Sequence, residues 1–310
     1  MGLSRRALLW ASRQAWLGDQ FRKRKFARRA ASRFLPGEDA GAALDAARQL
    51  TDQGLTALFS VLGENVTTPS EAKQVTQGYL DLLDLTHSRG LPCQVSLKPT
   101  QLGLDLSDEL CLEQLSSLLV KASSCGGFIW IDMESSGYVD RTLTLLERAR
   151  KRYSNAGVCV QSYLYRTAQD LERLISQGAA VRLVKGAYAE PPAVAIQRKR
   201  DVDANFFLLA ERLLDAVAGG RIGQPAFGTH DMRLLERIFA SAAARRIDKR
   251  AFEVQILYGI GREHQRRLAA DGYRMRVLIS YGTAWFPWYM RRLAERPANV
   301  WFVVRSIFSG

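Results

Sequence analysis

The sequence predicts a (β/α)8 barrel, an α/β fold of the TIM type in which eight parallel strands alternate with helices. Three observations carry this expectation. Eight short runs rich in Val, Ile, Leu and Phe have the length and composition of buried parallel strands. Each is followed by a stretch with apolar residues at helical spacing. The alternation fills about 250 residues, the usual size of such a barrel. An open doubly wound sheet is the competing architecture. The absence of Gly-x-Gly-x-x-Gly after the first strand disfavours it.

In chain order, residues 1–36 come first. Arg5, Arg6, Arg13, Arg22, Lys23, Arg24, Lys25, Arg28, Arg29 and Arg33 stand there against the single acid Asp19. They account for most of the net charge of +13. Leu8, Leu9, Trp10, Trp16, Leu17, Phe21 and Phe26 are interleaved, the composition of an amphipathic helix lying on an anionic membrane surface. A solvated helix packed across one end of the domain fits equally well, and nucleic acid is a weaker third partner. Pro36-Gly37-Glu38-Asp39 marks a boundary, dividing a basic segment, 1–36, from the barrel, 37–310.

A helix over Ala42–Gln53 leads to the first strand, Leu55–Leu62, which ends at Gly63-Glu64. Ser70 caps a helix running to Arg89. Gly90-Leu91-Pro92 breaks it, and Cys93–Leu97 is the second strand, closed by Lys98-Pro99. Helix 109–124 precedes Gly126-Gly127 and the third strand, Phe128–Asp132. Helix 138–152, strand Gly157–Tyr163, helix 167–177 and strand 181–185 follow. Helix 203–218 precedes a short sixth strand, Pro225–Gly228, ending at Thr229-His230. Helix 232–244, strand Phe252–Leu257, helix 261–270 and strand Met275–Ser280 complete the alternation. A last amphipathic helix covers 285–296.

With 47% hydrophobic residues in 310, the chain has a core that needs no disulfides. Cys93, Cys111, Cys125 and Cys159 form no Cys-x-x-Cys pair, and no His lies at ligand spacing from them. They read as reduced, mostly buried thiols of a cytoplasmic protein, and no metal site is expected. No apolar run reaches the ~18 residues that span a bilayer. Neither a signal-peptide core nor a myristoylation pattern is present.

The stretch Val181–Tyr188 is the most informative. Arg182 and Lys185 interrupt an apolar strand, and buried cations need an anion or a fixed dipole. Gly186 and Ala187 then leave the backbone open to close approach. Together they suggest a pocket for an anionic or electron-rich cofactor. In a barrel, chemistry sits where strands end. The residues there are Glu64, Lys98, Asp132, Gln161, Arg182, Lys185, Thr229, His230, Gln255 and Tyr281. Each has a plain structural explanation. Asp132 suits a helix cap, His230 a satisfied histidine and Lys98 a solvated loop. A ring of them at equivalent positions favours a ligand site. On the last helix, Arg291, Arg292 and Glu295 share one broad face. Paired arginines match a carboxylate, although an exposed ion-pair face has the same pattern.

Four motifs together resemble the proline dehydrogenase family, most of all its short bacterial monofunctional type. They are Arg182–Tyr188, Thr229-His230, Glu253–Gly259 and Arg291-Arg292-x-x-Glu295. The resemblance spans nearly the whole chain from about residue 40. It implies a flavoenzyme barrel that holds FAD and oxidises L-proline to Δ1-pyrroline-5-carboxylate, the first step of proline catabolism. Hydride would pass from proline C5 to flavin N5, and electrons onward to a membrane quinone. Residue by residue, it implies that Lys98, Arg291 and Arg292 hold the proline carboxylate. Asp132 and Arg182 stand beside substrate and flavin, and Glu295 faces the proline nitrogen. Ala187 and Leu257 pack around the ring. Met133, Gln161, Val184, Lys185, Gly186, Ala187, Thr229 and His230 contact FAD. Glu64 acts as a gate by pairing with Arg291. A separate pyrroline-5-carboxylate dehydrogenase is implied as a partner, along with peripheral contact with the inner face of the plasma membrane. Nucleic acid is not expected.

One position departs from the pattern. The family carries an aromatic residue near the substrate in the eighth strand, where this chain has Leu278, and Tyr281 three residues later does not take its place. Two rival readings need no resemblance. Lys185 at a strand end fits a Schiff-base lyase, and the basic N-terminal segment fits a non-enzymatic membrane or nucleic-acid binder.

Overall fold

The computed structural model describes residues 31–295, with side chains described up to Met290. Eight strands close into a parallel barrel in the order β1 to β8. They are β1 Thr56–Val61, β2 Gln94–Leu97, β3 Phe128–Ile131, β4 Ala156–Gln161, β5 Ala180–Val184, β6 Ala226–Gly228, β7 Glu253–Leu257 and β8 Arg274–Tyr281. The helices are α1 Ala40–Thr51, α2 Pro69–Ser88, α3 Asp108–Ser124, α4 Val139–Arg150, α5 Thr167–Ser176, α6 Lys199–Ala218, α7 Met232–Ala244, α8 Arg262–Ala270 and α9 Trp285–Glu295. Closure is made by β1 against β8, with Leu58 beside Leu278 and Ser60 beside Ser280. The expected fold class is the observed one.

Strand alternation divides the barrel into two cores. Outward residues such as Phe59, Val95, Ile129, Val181, Leu183, Val254 and Ile279 join the helices in one apolar layer. Inward residues form a second, smaller cluster in which Leu58, Trp130 and Ala226 meet Phe128, Ala180 and Leu278. Gly157 makes room for the Trp130 indole, because a Cβ there would sit 2.8 Å from the ring. The remaining inward positions are largely polar, and they build the site.

Most element edges shift by one or two residues from expectation, and two of the differences have identifiable reasons. The cap of α2 is Thr68, not Ser70. Its hydroxyl takes the Glu71 N–H, the Glu71 carboxylate takes the Thr68 N–H, and Pro69 sits at the first helical position. Helix α6 starts at Lys199 rather than 203. Ion pairs Arg198–Asp201 and Lys199–Asp203 carry the first turn, where no apolar periodicity marks a helix.

Residues 31–35 are not separate from the barrel. Ala31 and Leu35 pack with Leu62, just past β1, and with Trp285, Phe286, Trp288, Tyr289 and Met290 of α9. The Trp285 indole donates to Glu38 at 2.9 Å. Residues 1–30, and with them most of the basic segment, lie outside the described residues. Among the described residues no helix is long and apolar enough to cross a membrane.

Candidate active site

Arg182 projects from the middle of β5 into the barrel and is only 4% exposed. Its guanidinium pairs with the Asp132 carboxylate, donates to Ser96 Oγ at 2.7 Å and donates to Gln255 Oε1 at 3.1 Å. It also lies 5.3 Å from the centre of the Trp130 ring. Ser96 Oγ in turn donates to Asp132 Oδ1 at 2.8 Å. Burial opposes the charge on Arg182. The fields of Asp132, Cys159 and Glu253 outweigh it and hold the pKa above its ordinary value.

The network continues down the lumen. Gln255 Nε2 donates to Glu253 Oε1 at 2.7 Å, and the same oxygen receives Arg276 Nε at 2.8 Å. Arg276 then donates to the Ala57 carbonyl at 3.0 Å. Two buried arginines thus face two carboxylates, and every charge has a partner, as a low-dielectric interior requires.

Lys185, at the end of β5, donates to Asp203 at 2.5 Å and to Asp231 at 2.9 Å. Burial works against the Asp231 charge, yet the Lys185 hydrogen bond and field hold its carboxyl below the usual range. Both cations singled out in the sequence are therefore met by carboxylates of the chain itself. The anion that a buried cation needs is thus supplied within the chain. This pairing also opposes the Schiff-base reading, since an amine already held by two carboxylates is a poor neutral nucleophile.

Beyond Lys185 the backbone turns at Gly186, with φ +113, where a Cβ would lie 2.2 Å from the Tyr163 ring. Only glycine lets the turn lie flat on that ring. Gln161 Nε2 donates to the carbonyls of Met133 and Glu134, each at 2.8 Å. Its Oε1 is buried with no hydrogen-bond partner, as is Ser162 Oγ. Two bare polar atoms at the end of β4 are costly unless a ligand meets them. Val184 follows Arg182 on the inward face, and its carbonyl accepts Ser162 N–H at 2.8 Å. Thr229 is buried, and its hydroxyl accepts the Asp231 N–H at 3.2 Å; His230 lies between these two, half-buried.

The loops after β1, β2 and β3 are tied together. Thr100 donates to Glu134 through its backbone at 3.0 Å and its hydroxyl at 2.8 Å, and Asn65 N–H reaches Thr100 Oγ1 at 3.2 Å. Burial lifts the Glu134 carboxyl to about 7, with Thr100 and Lys98 pulling it down and Glu64 pushing it up. That cross-talk places Glu64, Lys98 and Glu134 within electrostatic reach of one another.

The expected substrate wall is only partly described. Leu257 neighbours Leu278 in the β7–β8 register, and Leu278 packs against the inward cluster. Tyr281 falls on the outward side, buried in the main core, with its pKa pushed up to about 12 by burial. It belongs to packing and leaves the ring of site candidates. Ala187 lies half-buried in the loop after β5. Arg291, Arg292 and Glu295 belong to α9, but their side chains, and so any Glu64–Arg291 pair, lie outside the described residues.

Sequence reasoning missed Ser96, Glu134, Asp203 and Asp231, and it gave no role to Glu253 or Arg276. Alternation offered a signal. Ser96 lies on the inward face of β2, and Glu253, Gln255 and Arg276 are polar at inward positions of largely apolar strands. One grouping of possible ligand atoms also went unforeseen. At the opposite, amino end of the barrel, ligand atoms of His87, Cys93 and Cys125 lie within 4.8 Å of one another. Local spacing hid this because helix α3 separates the two cysteines in sequence.

Comparison with known proteins identifies the family. Residues 43–305 match the family described as Proline dehydrogenase. Proline dehydrogenase 1 of Bacillus subtilis subsp. natto is 38% identical over 93% of this chain and 94% of its own length. Proline dehydrogenase of Deinococcus radiodurans is 36% identical over 90% of each. Among solved structures, proline utilization A from Bdellovibrio bacteriovorus, inactivated by N-propargylglycine, superposes with a TM-score of 0.81 at 24% identity. That match covers 94% of this chain but 36% of the longer protein, and it speaks to the fold alone. The chain belongs to the proline dehydrogenase family.

Proposed function

We propose that the chain is an FAD-dependent enzyme that oxidises L-proline to Δ1-pyrroline-5-carboxylate and passes the electrons to a membrane quinone. The observation that carries this reading is the buried Arg182 held by Ser96 and Asp132 in the lumen of a barrel of this family. A bound flavin supplies the two-electron chemistry, so the protein needs no nucleophile of its own. Its residues bind, orient and exclude water.

Lys98, Arg291 and Arg292 hold the substrate carboxylate, and Glu295 faces the amine. Leu257, Leu278 and Ala187 give the ring an apolar wall. Asp132 fixes the Arg182 guanidinium, whose charge stabilises negative charge that develops beside it in a site closed to water. For the cofactor, the orphan Oε1 of Gln161 offers an acceptor and the flat turn at Gly186 allows close approach. Met133, Val184, Lys185, Ala187, Thr229 and His230 complete that lining. Glu64 closes the opening over α9.

Residues 1–36 would dock on the inner face of the plasma membrane near the quinone, and a separate pyrroline-5-carboxylate dehydrogenase would take the product. Deleting residues 1–30, which spares Ala31 and Leu35 in their cluster with α9, is expected to abolish binding to anionic vesicles while soluble turnover persists; unchanged binding would refute the docking role. The first test of the whole reading is a visible spectrum of the purified protein before and after L-proline under argon. A flavin spectrum that bleaches is the expected result. A protein that is colourless and cannot be reconstituted with FAD would overturn it.

A further inference from the structure

The amino end of the barrel holds a cluster that the reaction does not use. His87 lies in the last turn of α2, Cys93 just before β2, and Cys125 caps α3. Their ligand atoms lie within 4.8 Å of one another. The chain has only 3 histidines and 4 cysteines, so one of the three meeting two of the four is not a crowding effect. The backbone enforces the meeting. Phe128 N–H donates to the Cys93 carbonyl at 3.0 Å. At Gly127 a Cβ would fall 2.2 Å from that carbonyl, so the end of α3 presses on Cys93 only because this residue is glycine.

We propose that His87, Cys93 and Cys125 form a site for a zinc-class divalent cation, with water in the fourth position. Two thiolates and an imidazole are a soft ligand set of the kind that selects zinc over magnesium or calcium. Tetrahedral coordination at about 2.3 Å from sulfur sets ligand atoms about 3.7 Å apart, so side-chain rotation is enough to close the site. His87 is exposed, Cys125 is half-buried and Cys93 is buried, so the ion enters from solvent and rests on a fixed inner ligand.

The electrostatics suit it. Two thiolates and a divalent cation sum to zero, so the site adds no net charge beside the Asp84–Lys121 ion pair. Without an ion the sulfurs are thiols. Cys125 Sγ donates to the Lys121 carbonyl at 3.1 Å, and Cys93 is a buried free cysteine. Because the ion joins α2, β2 and α3 at the end opposite the chemistry, its role is to clamp this face rather than to turn over substrate.

The test is a Co2+ titration of the purified protein, reduced with a phosphine and stripped with a chelator, read at the red end of the visible spectrum beyond flavin absorption. One equivalent is expected to give intense tetrahedral d–d bands that Zn2+ abolishes. The bands are expected to vanish in Cys125→Ser and in His87→Gln, whose side chains are not core, and to persist in Cys111→Ser. Zn2+ should raise the Tm of the wild type and not of His87→Gln. Weak octahedral bands, or bands unaffected by His87→Gln and Cys125→Ser, would overturn the site. So would a thiol count two short of the four cysteines in untreated protein, restored by the phosphine, because it would assign Cys93 and Cys125 to a disulfide.

Discussion

On the outward face of β7, Val254 and Ile256 lie under helices in an apolar layer. On the inward face of the same strand, Glu253 and Gln255 carry a charge and a relay of hydrogen bonds. Both faces are equally buried, yet they are held by different physics. Outward burial is additive and non-directional, so it tolerates changes of shape at a cost set by lost volume. The inward face is a closed set of pairs. Removing one member leaves another charge with no water and no partner.

The sharpest way to break this contrast is Arg182→Met, which keeps volume and removes the cation. We expect kcat/KM for proline to fall about 10³-fold, roughly 4 kcal/mol, with the barrel still folded by circular dichroism. A loss under tenfold would take Arg182 out of the reaction. Lower in the lumen, Glu253→Leu strands Arg276 and should cost about 3–5 kcal/mol in urea unfolding. Adding Arg276→Met should restore most of that; simple additivity of the two would show that the pair is not coupled.

Glu134 tests the same principle through pH. Its carboxyl is lifted from 4.5 to about 7 by burial. Between those values the folded chain holds a proton that the unfolded chain has released, so stability falls as pH rises through the window. The expected loss is up to about 3 kcal/mol. Glu134→Gln should flatten that slope, and identical profiles for both proteins would remove the assignment. At the mouth, Leu278→Tyr should change the ratio of kcat/KM for proline and hydroxyproline about tenfold; an unchanged ratio removes Leu278 from specificity. On the outward face, Ile279→Val should cost only about 1 kcal/mol and leave kcat/KM untouched.

The same contrast explains what the sequence disclosed. The outward layer is written as apolar periodicity, so the strands and the barrel were legible, with edges shifted by a few residues where charged pairs extend a helix, as at Lys199. Site residues at strand ends were legible when they interrupted an apolar run, as Arg182 and Gln161 do. Ser96 was not, because a small hydroxyl inside a strand resembles packing until Arg182 and Asp132 are seen to share it. Asp203 and Asp231 were hidden for another reason. They reach Lys185 from two different helix starts, and only closure of the barrel brings those starts together. The meeting of Cys125 with Cys93 is equally non-local.

Ala31, Leu35 and Leu62 share one aromatic cluster with α9 that is distinct from the main core. Such a satellite gives the molecule a second melting unit. The stretch around residue 31 and α9 meet through this side-chain packing, so they are expected to open together and to exchange hydrogen with deuterium at a common rate, faster than the barrel strands. If Arg291 and Arg292 hold the substrate as proposed, affinity would carry a hidden equilibrium constant, the fraction of molecules in which that small unit is closed.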